Sequence, residues 1–157
     1  MNGPASSRVS ASAATDVNSG ACADARFPDP VMRGRLLEKS DDHVVVGVPE
    51  TSYRLHLVLP EPIDVEVGRR VRGVIHCQAR RVDVVPSGGR FIEPVFGRPR
   101  RIQGWVTGGD VQRNVLHVKA EVPLVVHLMP SQQASEFETG QMVCFDAEAG
   151  AKFVPRR

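Results

Sequence analysis

From Val31 to the end of the chain no stretch free of both glycine and proline exceeds 13 residues, which leaves room for strands but not for the long helices of a bundle. The aliphatic residues agree. The chain holds 25 Val against 8 Leu and 4 Ile, a bias toward β-branched side chains that pack on a pleated surface. Between the turn residues lie short apolar runs at 31–37, 43–48, 53–59, 69–85, 90–96, 101–107, 114–120, 122–129, 141–146 and 151–154. Short strands at such intervals predict an all-β barrel or sandwich. Where Tyr53, Leu55, Leu57 and Leu59 alternate with Arg54 and His56, a period of two sends the apolar set inward.

Residues 1–30 lack any such period. They are rich in Ser and Ala, contain no continuous apolar segment of the kind a secretory signal needs, and predict a disordered N-terminal tail. No run of 18 apolar residues occurs anywhere in the chain, so the expectation is a soluble, cytoplasmic protein without a membrane partner. Cys22, Cys77 and Cys144 are odd in number and far apart, which is not a disulfide framework. Neither a Cys-x-x-Cys nor a His-x-x-x-His spacing occurs, so no metal site or other cofactor is implied.

The apolar pattern repeats. Shifting residues 33–60 by 70 positions superposes Gly34 on Gly104, Val45 on Val115, Val48 on Val118 and Pro60 on Pro130, and sets Leu36 against Val106 and Leu55 against Val125. After a two-residue insertion, Val65, Glu66, Gly68 and Val71 face Phe137, Glu138, Gly140 and Val143. This predicts two copies of one β unit, residues 31–85 and 102–157, joined by a connector at 86–101. The expectation is two sequential small barrels, and the rival that the same repeat would produce is one larger barrel of two interlocked halves.

In the second unit, Gly104-Trp105-Val106, Asn114 to Val118, Leu124 to Leu128, Phe137 to Phe145 and Gly150-Ala151-Lys152 follow one another as strand-forming segments. The stretch Gly140-Gln141-x-Val143-x-Phe145 with Gly150-Ala151-Lys152 resembles the cold-shock domain. The resemblance covers residues 102–155 and implies an OB-fold barrel that binds single-stranded nucleic acid. Where that family stacks bases on aromatics, this chain has Val115, Leu116, His117, Val125 and Val126, with His127 at the place of a His in the family's second motif.

Charge is uneven. Residues 69–101 carry nine Arg against Asp83 and Glu93, a net +7 in a chain whose total is +2. In the run 69–81, Val71, Gly73, Ile75, Cys77 and Ala79 share one face, while Arg70, Arg72, Val74, His76, Gln78 and Arg80 share the other. Arg70, Arg72 and Arg80 would then form an exposed ridge for a phosphate chain, or an ordinary solvated face paired with Asp64, Glu66 or Asp83. Beyond Arg81 the apolar phase moves to Val82 and Val84, which predicts a bulge near Arg80 and Arg81.

The connector interleaves Arg90, Phe91, Phe96, Arg98, Arg100 and Arg101 ahead of Trp105. Guanidinium groups among rings suit a single-strand binding surface. Alternatively Phe91, Phe96 and Trp105 close a core while the arginines keep the connector soluble. Ser87-Gly88-Gly89 lacks a nucleophile elbow, and no His, Cys or carboxylate falls into a catalytic arrangement. The expectation is therefore a non-catalytic module that binds single-stranded nucleic acid through Arg70, Arg72, Arg80, Arg90, Phe91, Phe96, Arg98, Arg100, Arg101, Trp105 and His127. The alternative is a protein-interaction module whose arginines dock an acidic partner.

Overall fold

A computed structural model describes residues 28–156 as an all-β structure built on one mixed sheet. The expected disordered tail falls, apart from residues 28–30, outside the described residues. Eleven strands follow in order: β1 (Met32–Lys39), β2 (His43–Gly47), β3 (Arg54–Val58), β4 (Arg70–Val85), β5 (Phe91–Glu93), β6 (Phe96–Gly97), β7 (Arg101–Asp110), β8 (Val115–Lys119), β9 (Pro123–His127), β10 (Met142–Ala147) and β11 (Lys152–Pro155). A single 3-10 turn, Ala134–Glu136, is the one helical element among the described residues. None of these elements is a helix long and apolar enough to cross a membrane.

The sixteen-residue β4 organises the rest. Pairing closes on itself twice, once through β1, β2, β3, β11 and β4, and once through β4, β10, β7, β8 and β9. We refer to these as the first and second circuits. The start of β4 pairs with β1, its middle with β11 and β9, and its end with β10. Each circuit therefore takes one strand from the far part of the chain. The C-terminal β11 runs parallel to β3, with Lys152 opposite Val58, while β4 runs parallel to β9, with Gln78 opposite His127. The break at 86–101 divides the chain but not the pairing.

Pairings recur at offsets near 70. A bulge between Leu36 and Glu38 in β1 is matched by one between Val106 and Gly108 in β7. The Gly68 N–H donates to the Leu36 carbonyl at 2.7 Å, and the Gly140 N–H to the Val106 carbonyl at 2.8 Å. Both glycines have positive φ, 95° and 97°. At Gly34 an added Cβ would lie 2.7 Å from the Gly47 carbonyl oxygen, and at Gly104 it would lie 2.5 Å from that of Lys119. Both positions thus need a residue without a side chain, for the same reason of close backbone approach.

The ungapped shift of 70 misplaces two strands. By register, Val44 and Val46 correspond to Leu116 and Val118, an offset of 72, whereas Leu55 and Leu57 correspond to Leu124 and Val126, an offset of 69. The even error leaves the inward set inward. The odd one does not, and Val125, expected opposite Leu55, lies in a separate small cluster with Val74 and Val115. Turns of unequal length before β3 and β9 cause the slip.

One continuous cluster of buried side chains runs through both circuits, from Met32 and Leu36 to Phe145 and Phe153. Leu57, Leu59, Val71 and Ile75, the inward residues of the sequence pattern, are all buried, as are Leu128 and Phe145. The expected bulge is present: Ala79 pairs with Ala147 and Val82 with Phe145, so β4 holds one residue more than β10 at Arg80 and Arg81. At Val82 the Gln132 amide acts as a strand neighbour, accepting from the Val82 N–H at 2.8 Å and donating to its carbonyl at 2.9 Å.

Phe153 is fully buried opposite Ile75, and an added Cβ on Gly73 would come within 2.5 Å of its ring. Phe153→Ala should therefore cost about 3–5 kcal/mol in urea unfolding, comparable with the roughly 2–5 kcal/mol expected for Ile75→Ala. A loss below about 1 kcal/mol would mean that the C-terminal strand frays rather than closing the first circuit.

Candidate functional site

The outward face of β1 and the start of β4 concentrates unpaired positive charge. Arg33 lies directly opposite Arg72, and Arg35 directly opposite Arg70. All four are exposed. Directly opposed side chains in an antiparallel pair sit about 5 Å apart at Cβ, and like charges there are destabilising, by roughly 0.2–1 kcal/mol per pair before screening by salt. No carboxylate among the described residues forms an ion pair with any of the four. The Arg35 guanidinium instead donates to the Gly68 carbonyl, which holds it along the strand.

These arginines line an open groove of about 990 Å3 together with Gly34, Gly47, Val71, the β2–β3 turn, Tyr53 and Arg54. Arg33, Arg35, Arg54, Arg70 and Arg72 face a single carboxylate, Glu50. The Arg54 guanidinium lies 5.5 Å from the centroid of the Phe96 ring, a cation–π distance. The Phe96 ring also packs against His56 at 5.1 Å, yet Phe96 remains 55% exposed. The His56 Nε2 is buried and has no hydrogen-bond partner among the described residues.

The structure separates the residues that the sequence grouped. Arg70 and Arg72 stand in the groove. Arg80, also exposed, does not continue their ridge, because Val74 is fully buried with Val115 and Val125, and His76 is half-buried against His127. The three arginines cannot act as one row along the strand. Phe96 reaches the groove's edge through β6, which pairs with Arg54 and Leu55 of β3. Phe91 lies on β5 opposite Gln103 of β7, with Trp105 two residues along, so these two rings belong to the second circuit. Arg101 pairs with Asp146 at 3.3 Å, while Arg90, Arg98 and Arg100 are exposed. The carboxylates offered by the solvated-face reading do not engage Arg70, Arg72 or Arg80, and Asp83 binds Arg81 at 2.8 Å instead.

His127 belongs to a third place, the outward face where β4 meets β9. Its Nε2 lies 3.0 Å from the His76 Nδ1. Beside it the N-terminal approach is pinned: Asp29 receives Arg113 at 2.6 and 3.2 Å and contacts the His117 ring at 3.2 Å, while Asp110 holds the same guanidinium from the other side at 2.9 Å. Residues 28–30, assigned to the tail by composition, therefore include one firmly engaged carboxylate. The Arg113 guanidinium holds the Asp29 carboxyl below the usual carboxylate range, and burial lowers both His76 and His127 below the usual imidazole range. The charge of the partner ring adds to the lowering at His76, as does that of Arg113 at His127. Burial pushes the Cys77 thiol up to about 12, so it behaves as a core side chain, and Cys144 is likewise buried and free. Among the described residues no group of three or more His, Cys, Asp or Glu side chains is placed to hold a metal ion.

Sequence reasoning missed Arg33, Arg35 and Arg54. Alternation in β1 would have turned Arg33 and Arg35 outward, but only the β1–β4 register sets them against Arg72 and Arg70. In comparisons with protein-family models, curated proteins and solved structures, nothing matches the chain. The likeness of residues 102–155 to a cold-shock domain thus rests on its own residues alone.

The histidine pair makes a pH prediction. Because the folded values of His76 and His127 lie below the ordinary 6.5, the unfolded chain binds more protons in that window. The contribution is fully present above about pH 6.5 and is lost as pH falls toward the folded values. Urea midpoints should therefore drop between about pH 7 and about pH 5, and the drop should shrink in a His76→Gln, His127→Gln variant. Equal pH profiles for the two proteins would contradict it.

Proposed function

We propose that the chain is a non-catalytic module that binds single-stranded nucleic acid, built as two OB-like barrels that share β4 and exchange their closing strands. The order β1, β2, β3, β11, β4 with parallel β3 and β11 supports the OB-like description of the first circuit, and β7, β8, β9, β4, β10 with parallel β9 and β4 supports it for the second. The observation that carries the binding proposal is the groove. Four arginines held in opposed pairs, without carboxylate partners among the described residues, raise the energy of the free protein, and an oligoanion laid along them relieves that repulsion. Guanidinium groups bind phosphate oxygens bidentately. The Arg54–Phe96 stack beside them presents a ring face and a planar cation, the parts that hold a base next to its phosphate. That ring favours a nucleic acid over an acidic protein surface, which needs only the charge.

The test exploits opposite effects on stability and binding. Arg33→Gln with Arg72→Gln should leave urea stability unchanged or raise it by up to about 1 kcal/mol, since an unfavourable pair disappears. The same variant should weaken binding of a single-stranded oligonucleotide and reduce the log–log salt slope by about 0.7 for each phosphate no longer neutralised. Phe96→Ala should lower affinity with little change in slope. Absence of binding at low salt would end the proposal. Binding of polyglutamate as tight as that of the oligonucleotide, untouched by Phe96→Ala, would favour the acidic-partner alternative.

A further inference from the structure

The positions equivalent to the four arginines have a different character in the second circuit. Offsets of 70 in β7 and 72 in β10 carry Arg33 to Gln103, Arg35 to Trp105, Arg70 to Met142 and Arg72 to Cys144. The cross-strand pairs are kept: Arg35 opposite Arg70 becomes Trp105 opposite Met142, and Arg33 opposite Arg72 becomes Gln103 opposite Cys144. Met142 and Cys144 are 3% and 8% exposed, the Gln103 amide is tied to the Gly89 carbonyl at 2.8 Å, and Trp105, directly opposite Met142, is 43% exposed. Lys119 stands directly opposite Trp105 on the β8 side and is exposed. A half-open indole with a cation on the neighbouring strand has the parts needed to stack one base and hold its phosphate.

The two faces lie at opposite ends of β4. Met142 pairs with Val85 at the end of β4, thirteen residues beyond Arg72, which is at most about 43 Å along the strand. A ligand laid along the strand meets both only if it runs most of the length of β4. We infer that the Trp105 face is a second contact for the same single strand, a stacking post for one base, so that the protein distinguishes long strands from short ones. This inference rests on the proposed nucleic-acid function of the arginine groove. A strand long enough to span both faces gains the second contact at the effective concentration set by the first, and a short strand gains nothing from it.

Trp105 is the only tryptophan in the chain, so its emission reports this face alone. The full chain would be titrated at low salt with a tetranucleotide and with a strand of about twenty nucleotides, the first at the lower edge of the usual range for one OB unit and the second beyond its upper edge. Binding is followed by anisotropy of a labelled strand and stacking by tryptophan quenching. Both strands should bind, but only the long one should quench. Trp105→Ala should weaken the long strand by about tenfold and leave the short one unchanged, with Trp105→Phe restoring most of the affinity. Long-strand binding without quenching, and indifferent to Trp105→Ala, overturns the second contact while leaving the groove intact. Quenching by the tetranucleotide to the same extent overturns the separation of the two contacts. No binding of either strand overturns the groove reading, and the inference with it.

Discussion

Everything in this structure hangs on the inward line of β4, in which Val71, Gly73, Ile75, Cys77, Ala79 and, after one extra residue, Val82 all turn to the same interior. A strand that is common wall to two closed sets of pairings cannot change register on one side without moving the other. The bulge at Arg80 and Arg81 permits the long strand to bend between its partners, and Gln132 satisfies the backbone groups beside it. The pairing of β11 with β3 and β4 then ties the last strand into the first circuit. Burial of Phe153 against Ile75 makes that pairing part of the core rather than an ornament.

A scaffold fixed this firmly can hold unfavourable surface arrangements. The opposed pairs Arg33 with Arg72 and Arg35 with Arg70 oppose folding in themselves, and the neighbouring sheet keeps them in place because its register is set by the buried faces of the same residues' neighbours. The equivalent pairs in the second circuit, Trp105 with Met142 and Gln103 with Cys144, occupy the same geometry with apolar and amide groups. One arrangement of strands thus presents a cationic face at one end and an aromatic one at the other. That division of labour suits a ligand that alternates anionic links with flat rings.

The strands and most of the core were legible because alternation is a local signal. Leu55 and Leu57 declare their side by their neighbours, and the phase change after Arg81 announces the bulge. The misalignment of Leu55 with Val125 arose where turn length matters, since an ungapped shift cannot sense that one turn is shorter than its counterpart. The pairing of β11 with β3 and β4 was not legible at all, because Phe153 alternates in the same way whichever strands receive it. The arginine groove was half legible. Arg70 and Arg72 stood out in a basic segment, but Arg33 and Arg35 lie in a stretch of net −3, where Asp41, Asp42 and Glu50 in turns mask them, and only register brings the two segments together.

The groove's role is tested most directly by residue-resolved amide shifts of the isotope-labelled chain as a single-stranded oligonucleotide is added at low salt. The largest changes should fall along Arg33 to Arg35 in β1, Arg70 to Arg72 in β4 and Arg54 in β3, the strands that carry the opposed arginines and the Phe96 stack. Changes centred instead on His76, His117 and His127, with β1 and the start of β4 unmoved, would contradict it.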